Sequence, residues 1–158
     1  MTAKKKYIIY LFIYLIVNFA ALGLGGLLQG EGPSSEWYQN LNRAPWTPPG
    51  WVFGAAWFTI MICLSFFMAK ISKEVSIAIM GLFSVQWLLN VSWNPIFFDL
   101  QMVPLSLAII SLLAIVVIIM FIVGWQKVKW TSFLLLPYII WLLIAISLNF
   151  YIYRFNGI

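Results

Sequence analysis

Apolar residues do not alternate along this chain; they gather in five nearly unbroken runs parted by short polar stretches. The runs extend from Tyr7 to Leu28, Trp51 to Ala69, Val75 to Phe97, Val103 to Val123 and Phe133 to Tyr153. Each approaches the roughly 20 residues with which a helix crosses about 30 Å of hydrocarbon. Inside a bilayer every backbone N–H and C=O must find its partner within the protein, which leaves helices or a closed barrel. A barrel has short alternating segments, not a run such as Leu107 to Val123. The pattern therefore predicts an all-α membrane protein whose five transmembrane helices form a single bundle, one domain over residues 1–158. The first run follows Lys4, Lys5 and Lys6 but is too long for a secretory signal and leads into further spans, so it is expected to stay in the bundle.

The connections after the second, third and fourth runs are short, so successive spans are expected to pack antiparallel. The first connection, residues 29–50, is long and carries Glu31, Trp37, Tyr38, Arg43 and Trp46. A loop of that length with aromatics and charges is expected to fold over the outer mouth of the bundle as a lid. It ends in Pro48-Pro49-Gly50-Trp51. Two prolines cannot continue a helix but suit the residues before and at its first turn. The second span thus starts here, with Trp51 at its mouth and Trp57 almost two turns in, which predicts an aromatic wall lining a ligand pocket.

The spans also hold residues that lipid alone would not require. Gln86, Asn90, Trp93, Asn94 and Phe97 share one face of the third span, and Tyr138, Trp141, Ala145 and Asn149 repeat the arrangement on the fifth. On the first span Asn18, Ala21, Gly25 and Gln29 lie on one side, where small residues permit close helix approach or leave room for a guest. Amides in a bilayer are costly unless partnered, so these faces are expected to point inward, either gluing helices together or meeting a ligand. Trp125 and Trp130 have the simpler reading of interface anchors.

Composition agrees with a bilayer: 64% of residues are hydrophobic and 8% charged, and the mean hydropathy is +1.00. The net charge of +5 is unevenly spread. Lys4, Lys5, Lys6, Lys70, Lys73, Lys127 and Lys129 fall on one side of the five spans, while Arg43 and Arg154 fall on the other. The positive-inside rule then makes the amino terminus cytoplasmic, and the charge is an orientation signal that implies no nucleic-acid partner. No Asp, Glu, Lys, Arg or His lies within the body of a span, with Lys70 and Asp99 only at the edges, which argues against a proton relay or charge-coupled pump. The chain has no histidine and one cysteine, Cys63, and offers no catalytic triad, carboxylate pair, phosphate-cradling loop or metal cluster. What remains is a mostly apolar cavity with indoles and a few amides, the chemistry of a site for a flat, greasy ligand.

Three blocks carry a resemblance. Trp37-Tyr38 followed by Pro45-Trp46-Thr47-Pro48-Pro49-Gly50-Trp51-Val52-Phe53-Gly54 and Trp57, then Leu89-Asn90-Val91-Ser92-Trp93-Asn94-Pro95-Ile96-Phe97-Phe98, then Pro137-Tyr138-Ile139-Ile140-Trp141 leading to Leu148-Asn149, are together similar to the signature of the TspO/MBR family. That family contains the bacterial tryptophan-rich sensory proteins and the mitochondrial translocator protein, once called the peripheral benzodiazepine receptor. The resemblance implies a homodimer of five-helix bundles in contact with membrane lipid, and the lysine- and isoleucine-rich composition points to a bacterial cell membrane. It also implies a pocket under the first loop that binds tetrapyrroles such as protoporphyrin IX and other flat lipophilic molecules.

Carried onto this chain, the resemblance implies ligand contacts at Pro48, Trp51, Asn90, Trp93, Phe97, Tyr138, Trp141 and Ala145. It further implies light- and oxygen-dependent porphyrin breakdown, for which Trp51 and Trp141 are the candidate oxidisable indoles. Without histidine, haem lacks its commonest axial ligand, so metal-free porphyrin is the expected ligand or substrate. A transporter or sensor for porphyrins or other lipophilic molecules, without chemistry, is the alternative. The segment Pro33-Ser34-Ser35-Glu36 departs from the mitochondrial pattern, so lid contacts are not carried over.

Overall fold

The computed structural model describes residues 2–72 and 77–158. Five long helices dominate it: α1 (Ala3–Leu28), α3 (Gly50–Ile71), α4 (Ile77–Phe98), α5 (Val103–Val128) and α6 (Leu136–Phe155), with a short α2 (Glu36–Asn40) between the first two. The long helices hold 20 to 26 residues, so each measures about 30 to 39 Å and can cross a bilayer. Among the described residues there is no strand.

The helices outrun the apolar stretches where side chains can reach the interface. Helix α1 takes Lys4, Lys5 and Lys6 into its first turns, capped by Thr2, and α5 continues past Val123 through Gln126 and Lys127. Their long stems cover apolar surface while the ammonium groups stay wet. Helix α6 begins only at Leu136, because a 3-10 segment (Lys129–Leu135) takes up the start of the last apolar run. Val75, the expected start of the third span, and Lys73 lie outside the described residues.

Helix α1 packs on α3 and α4, α4 on α5, α5 on α6, and α6 back on α3, closing a ring. The expectation for successive spans holds for the α4–α5 and α5–α6 pairs. It does not hold for α3 and α4, which meet mainly through α1. Between them lie the facing indoles Trp57 of α3 and Trp93 of α4.

Intramembrane amides secure several of the other contacts. Asn18 donates to Ser65 Oγ at 2.8 Å, tying α1 to α3. Gln86 donates to the Tyr138 hydroxyl at 2.9 Å, tying α4 to α6. Ser106 donates to Asn149 Oδ1 at 3.3 Å between α5 and α6. In a medium without competing water these bonds act as glue between helices. One close approach needs glycine: a Cβ on Gly124 would lie 2.7 Å from Phe67 Cε2 and 2.9 Å from Ser132 Oγ.

Candidate functional site

The long first connection is folded. After Gly30 and Gly32, both with positive φ, it makes a 3-10 turn (Gly32–Ser34) and then α2, whose amino end is capped by the Ser35 hydroxyl. Trp37 and Tyr38 on α2 rest edge-on against Phe97, at 5.6 and 6.2 Å between ring centroids, and Tyr38 also meets Phe98 at 5.2 Å. The far half of the loop is fastened to α6. Asn42 N–H donates to Asn156 Oδ1 at 2.7 Å, and Asn156 Nδ2 returns a bond to the Asn42 carbonyl at 3.0 Å. Trp46 Nε1 donates to Ser147 Oγ at 3.2 Å while its ring meets Tyr151 edge-on.

Beneath this roof lies a cavity of about 560 Å³. Leu22 and Gly26 of α1, with Gln29 at its carboxyl end, form one side, Phe53, Gly54 and Trp57 of α3 a second, and Trp93, Asn94 and Phe98 of α4 a third; the lid contributes Tyr38, Arg43 and Pro48 among others. The volume falls within the range of about 300 to 1,000 Å³ that drug-sized ligands occupy. Its walls are predominantly apolar, and its charged lining residue is Arg43. The Arg43 guanidinium stands 5.4 Å from the centre of the Tyr38 ring. Burial pushes the Tyr38 phenol above its ordinary value, and the charge of Arg43 partly opposes this.

Of the ligand contacts implied by the resemblance, Pro48 and Trp93 line the cavity directly, and so do Gln29, Trp57 and Asn94, which the sequence pattern marks. Asn90 borders a narrow recess beside it, of about 10 Å³, together with Ala21, Gly25, Trp57 and Trp93. Asn90 is 5% exposed and its Oδ1 has no partner among the described residues, so unlike Asn18, Gln86 and Asn149 it makes no hydrogen bond to another helix there. Phe97, Tyr138 and Trp141 stand one layer back. Phe97 supports the lid rings, Tyr138 meets Trp57 edge-on at 5.8 Å, and Trp141 meets Phe53 edge-on at 5.2 Å. Ala145 is buried on α6, where its carbonyl accepts from Asn149. Trp51 is 73% exposed and is not among the cavity's lining side chains.

Phe53 and Phe98 are aromatic wall residues that the implied ligand contacts lack, and Trp57, expected in the wall, is found there. On α3 the spacing carried the signal: Gly50, Phe53, Gly54 and Trp57 stand at i, i+3, i+4 and i+7, one helical face, and Trp51 lies off it.

Fold and site together define a helical integral membrane protein with a lidded aromatic pocket. The model of the TspO/MBR family matches residues 12–154, and the chain belongs to that family. It is 35% identical over 152 residues to Protein CrtK of Rhodobacter capsulatus, covering 92% of each chain. It is 32% identical over 133 residues to the Tryptophan-rich sensory protein of Cereibacter sphaeroides, covering 84% of this chain and 82% of the relative. It is 29% identical over 135 residues to the Translocator protein of Homo sapiens, covering 82% and 79%.

Proposed function

We propose that this protein binds a planar tetrapyrrole of the protoporphyrin IX type, or a ligand of similar shape and polarity, in the cavity under the lid. The observation that carries this reading is the paired indole wall, Trp57 and Trp93, in an apolar cavity with Arg43 among its lining residues. A porphyrin presents a flat apolar face to indoles and carries its propionates at one edge. With the ring against the wall, the propionates meet the guanidinium at the lid. The amino terminus is cytoplasmic in this reading, the lid faces outward, and the working unit is a homodimer in a bacterial cell membrane.

Light-driven oxidation of the bound porphyrin belongs to the same proposal. Dioxygen is the oxidant, the porphyrin is the sensitiser, and the chain's part is to hold the ring near oxidisable indoles. Trp141, one ring behind the cavity wall, and Trp51, exposed at the mouth of α3, are the candidates. A carrier or sensor without chemistry is the second reading, favoured by the names of the sensory and translocator relatives.

The test is titration of the purified protein in detergent with protoporphyrin IX, following its absorption band in the dark and then under light. Saturable binding with a new product only in light and oxygen supports the whole proposal, and binding without product leaves the carrier or sensor. Absence of binding overturns both for this ligand. Trp51→Phe and Trp141→Phe variants that keep binding and photoproduct unchanged remove those two indoles from the chemistry.

A further inference from the structure

At the end of the bundle away from the lid, α1, α3 and the 3-10 segment before α6 enclose an open groove of about 490 Å³, lined by Lys4, Tyr7, Phe66, Lys70, Thr131 and Leu134. We propose that this groove binds an anionic phospholipid, with its phosphodiester between Lys4 and Lys70 and an acyl chain along Phe66 and Leu134. The argument rests on how the lining is divided. Lys4 sits in the first turn of α1 and Lys70 in the last turn of α3, so both ammonium groups stand where apolar helix gives way to water. Phe66, one helical turn deeper into the membrane than Lys70, is 38% exposed, and Leu134 is half-buried. Cations at the rim and apolar side chains below match the division of a lipid between headgroup and chain.

Charge complementarity selects the headgroup. Among the described residues, Lys5, Lys6, Lys127 and Lys129 share this end of the bundle, whereas Glu31, Glu36 and Asp99 belong to the connections at the other end; Glu74 lies outside the described residues. A zwitterionic headgroup gains little from two ammonium groups, because its own cation must be accommodated beside them. A net-negative phosphodiester gains from both, and two anchored lysines add a fixed geometry to the general attraction of basic segments to anionic leaflets. The same division explains why a free inorganic anion is the poorer occupant: it leaves the Phe66 and Leu134 wall uncovered. The groove shares no lining residue with the cavity under the lid, so the two sites stand or fall separately.

The experiment is native mass spectrometry of the full chain in detergent, with phosphatidylglycerol or phosphatidylcholine of identical acyl chains, and the Tm of each mixture measured alongside. The expected result is retention of phosphatidylglycerol about tenfold over phosphatidylcholine, with a rise in Tm specific to the anionic lipid. The Lys4→Gln/Lys70→Gln double variant should cut that preference to about twofold, while Lys127→Gln/Lys129→Gln keeps it. Lys70→Glu alone should abolish it, and circular dichroism reports whether each variant is folded. Equal retention of the two lipids overturns the proposal. So does a preference that survives in the folded Lys4/Lys70 variants, or a Tm rise with inorganic phosphate as large as that with the lipid.

Discussion

Trp57 on α3 and Trp93 on α4 lie 6.1 Å apart between ring centroids and within 22° of parallel. Both are about nine-tenths buried, and Tyr138 braces Trp57 from behind, so the wall is set before a ligand arrives. A preset aromatic surface spares the ordering cost that a mobile one would bear on binding. Replacing Trp93 by Phe should therefore weaken protoporphyrin IX binding about threefold to tenfold, the loss expected from reduced ring overlap. The porphyrin absorption band is the readout, since it does not depend on the indole removed.

Arg43 should contribute through charge. Arg43→Gln is expected to lower affinity for protoporphyrin IX while leaving its dimethyl ester unaffected, and raised ionic strength should mimic the substitution in the native chain. Equal losses for acid and ester would assign Arg43 a role in lid structure only.

The lid should loosen in base. A phenol whose folded-state pKa lies above its unfolded value contributes stability in full below about pH 10 and loses it as pH rises through the folded value. Tyr38 is such a group. Hydrogen exchange over residues 29–50, compared with α5 at the same pH, should accelerate above about pH 10. Tyr38→Phe should remove that extra acceleration.

Two glycines should respond oppositely. Gly124→Ala drives a methyl into Phe67 and Ser132 and is expected to cost about 1 to 3 kcal/mol, read as a lower Tm. A Cβ on Gly54 meets nothing within 4 Å, so Gly54→Ala should hold or raise Tm, alanine being favoured in helices by up to about 1 kcal/mol. Gly54→Phe should keep the fold yet fill the cavity, abolishing porphyrin binding.

The clasp between Asn42 and Asn156 should hold the lid down. Asn156→Ala removes both of its bonds to Asn42, and exchange of residues 40–50 is expected to quicken while α4 and α5 are unchanged. Asn156→Asp, which keeps an acceptor for the Asn42 N–H but loses the amide donor, should fall between the two.

The number of helices and their inward faces were legible because lipid imposes one rule everywhere: Asn18, Gln86 and Asn149 had to turn inward, and each found a partner there. The assignment of residues to the cavity was less legible. Trp51 stands next to the double proline, but one residue along a helix is a rotation of about 100°, and that moves it off the face of Gly50, Phe53, Gly54 and Trp57. The separation of α3 from α4 was hidden for another reason, since a short connection limits the distance between helix ends and says nothing about which neighbour each helix packs against along its length. The docking of Asn42 on Asn156 is a contact between residues 114 positions apart, with no periodicity to announce it.

That last separation bears on how the protein is made. Synthesis proceeds from α1 towards α6, so the loop that roofs the cavity is complete long before Ser147, Tyr151 and Asn156 exist to hold it. Throughout that interval the roof is held only at its α2 end, where Trp37 and Tyr38 rest on Phe97, and the half from Asn42 to Trp46 has nothing to fasten to. Closure of the roof is thus timed by the arrival of the final helix, which makes α6 the step in biogenesis at which a half-fastened loop becomes a clasped one.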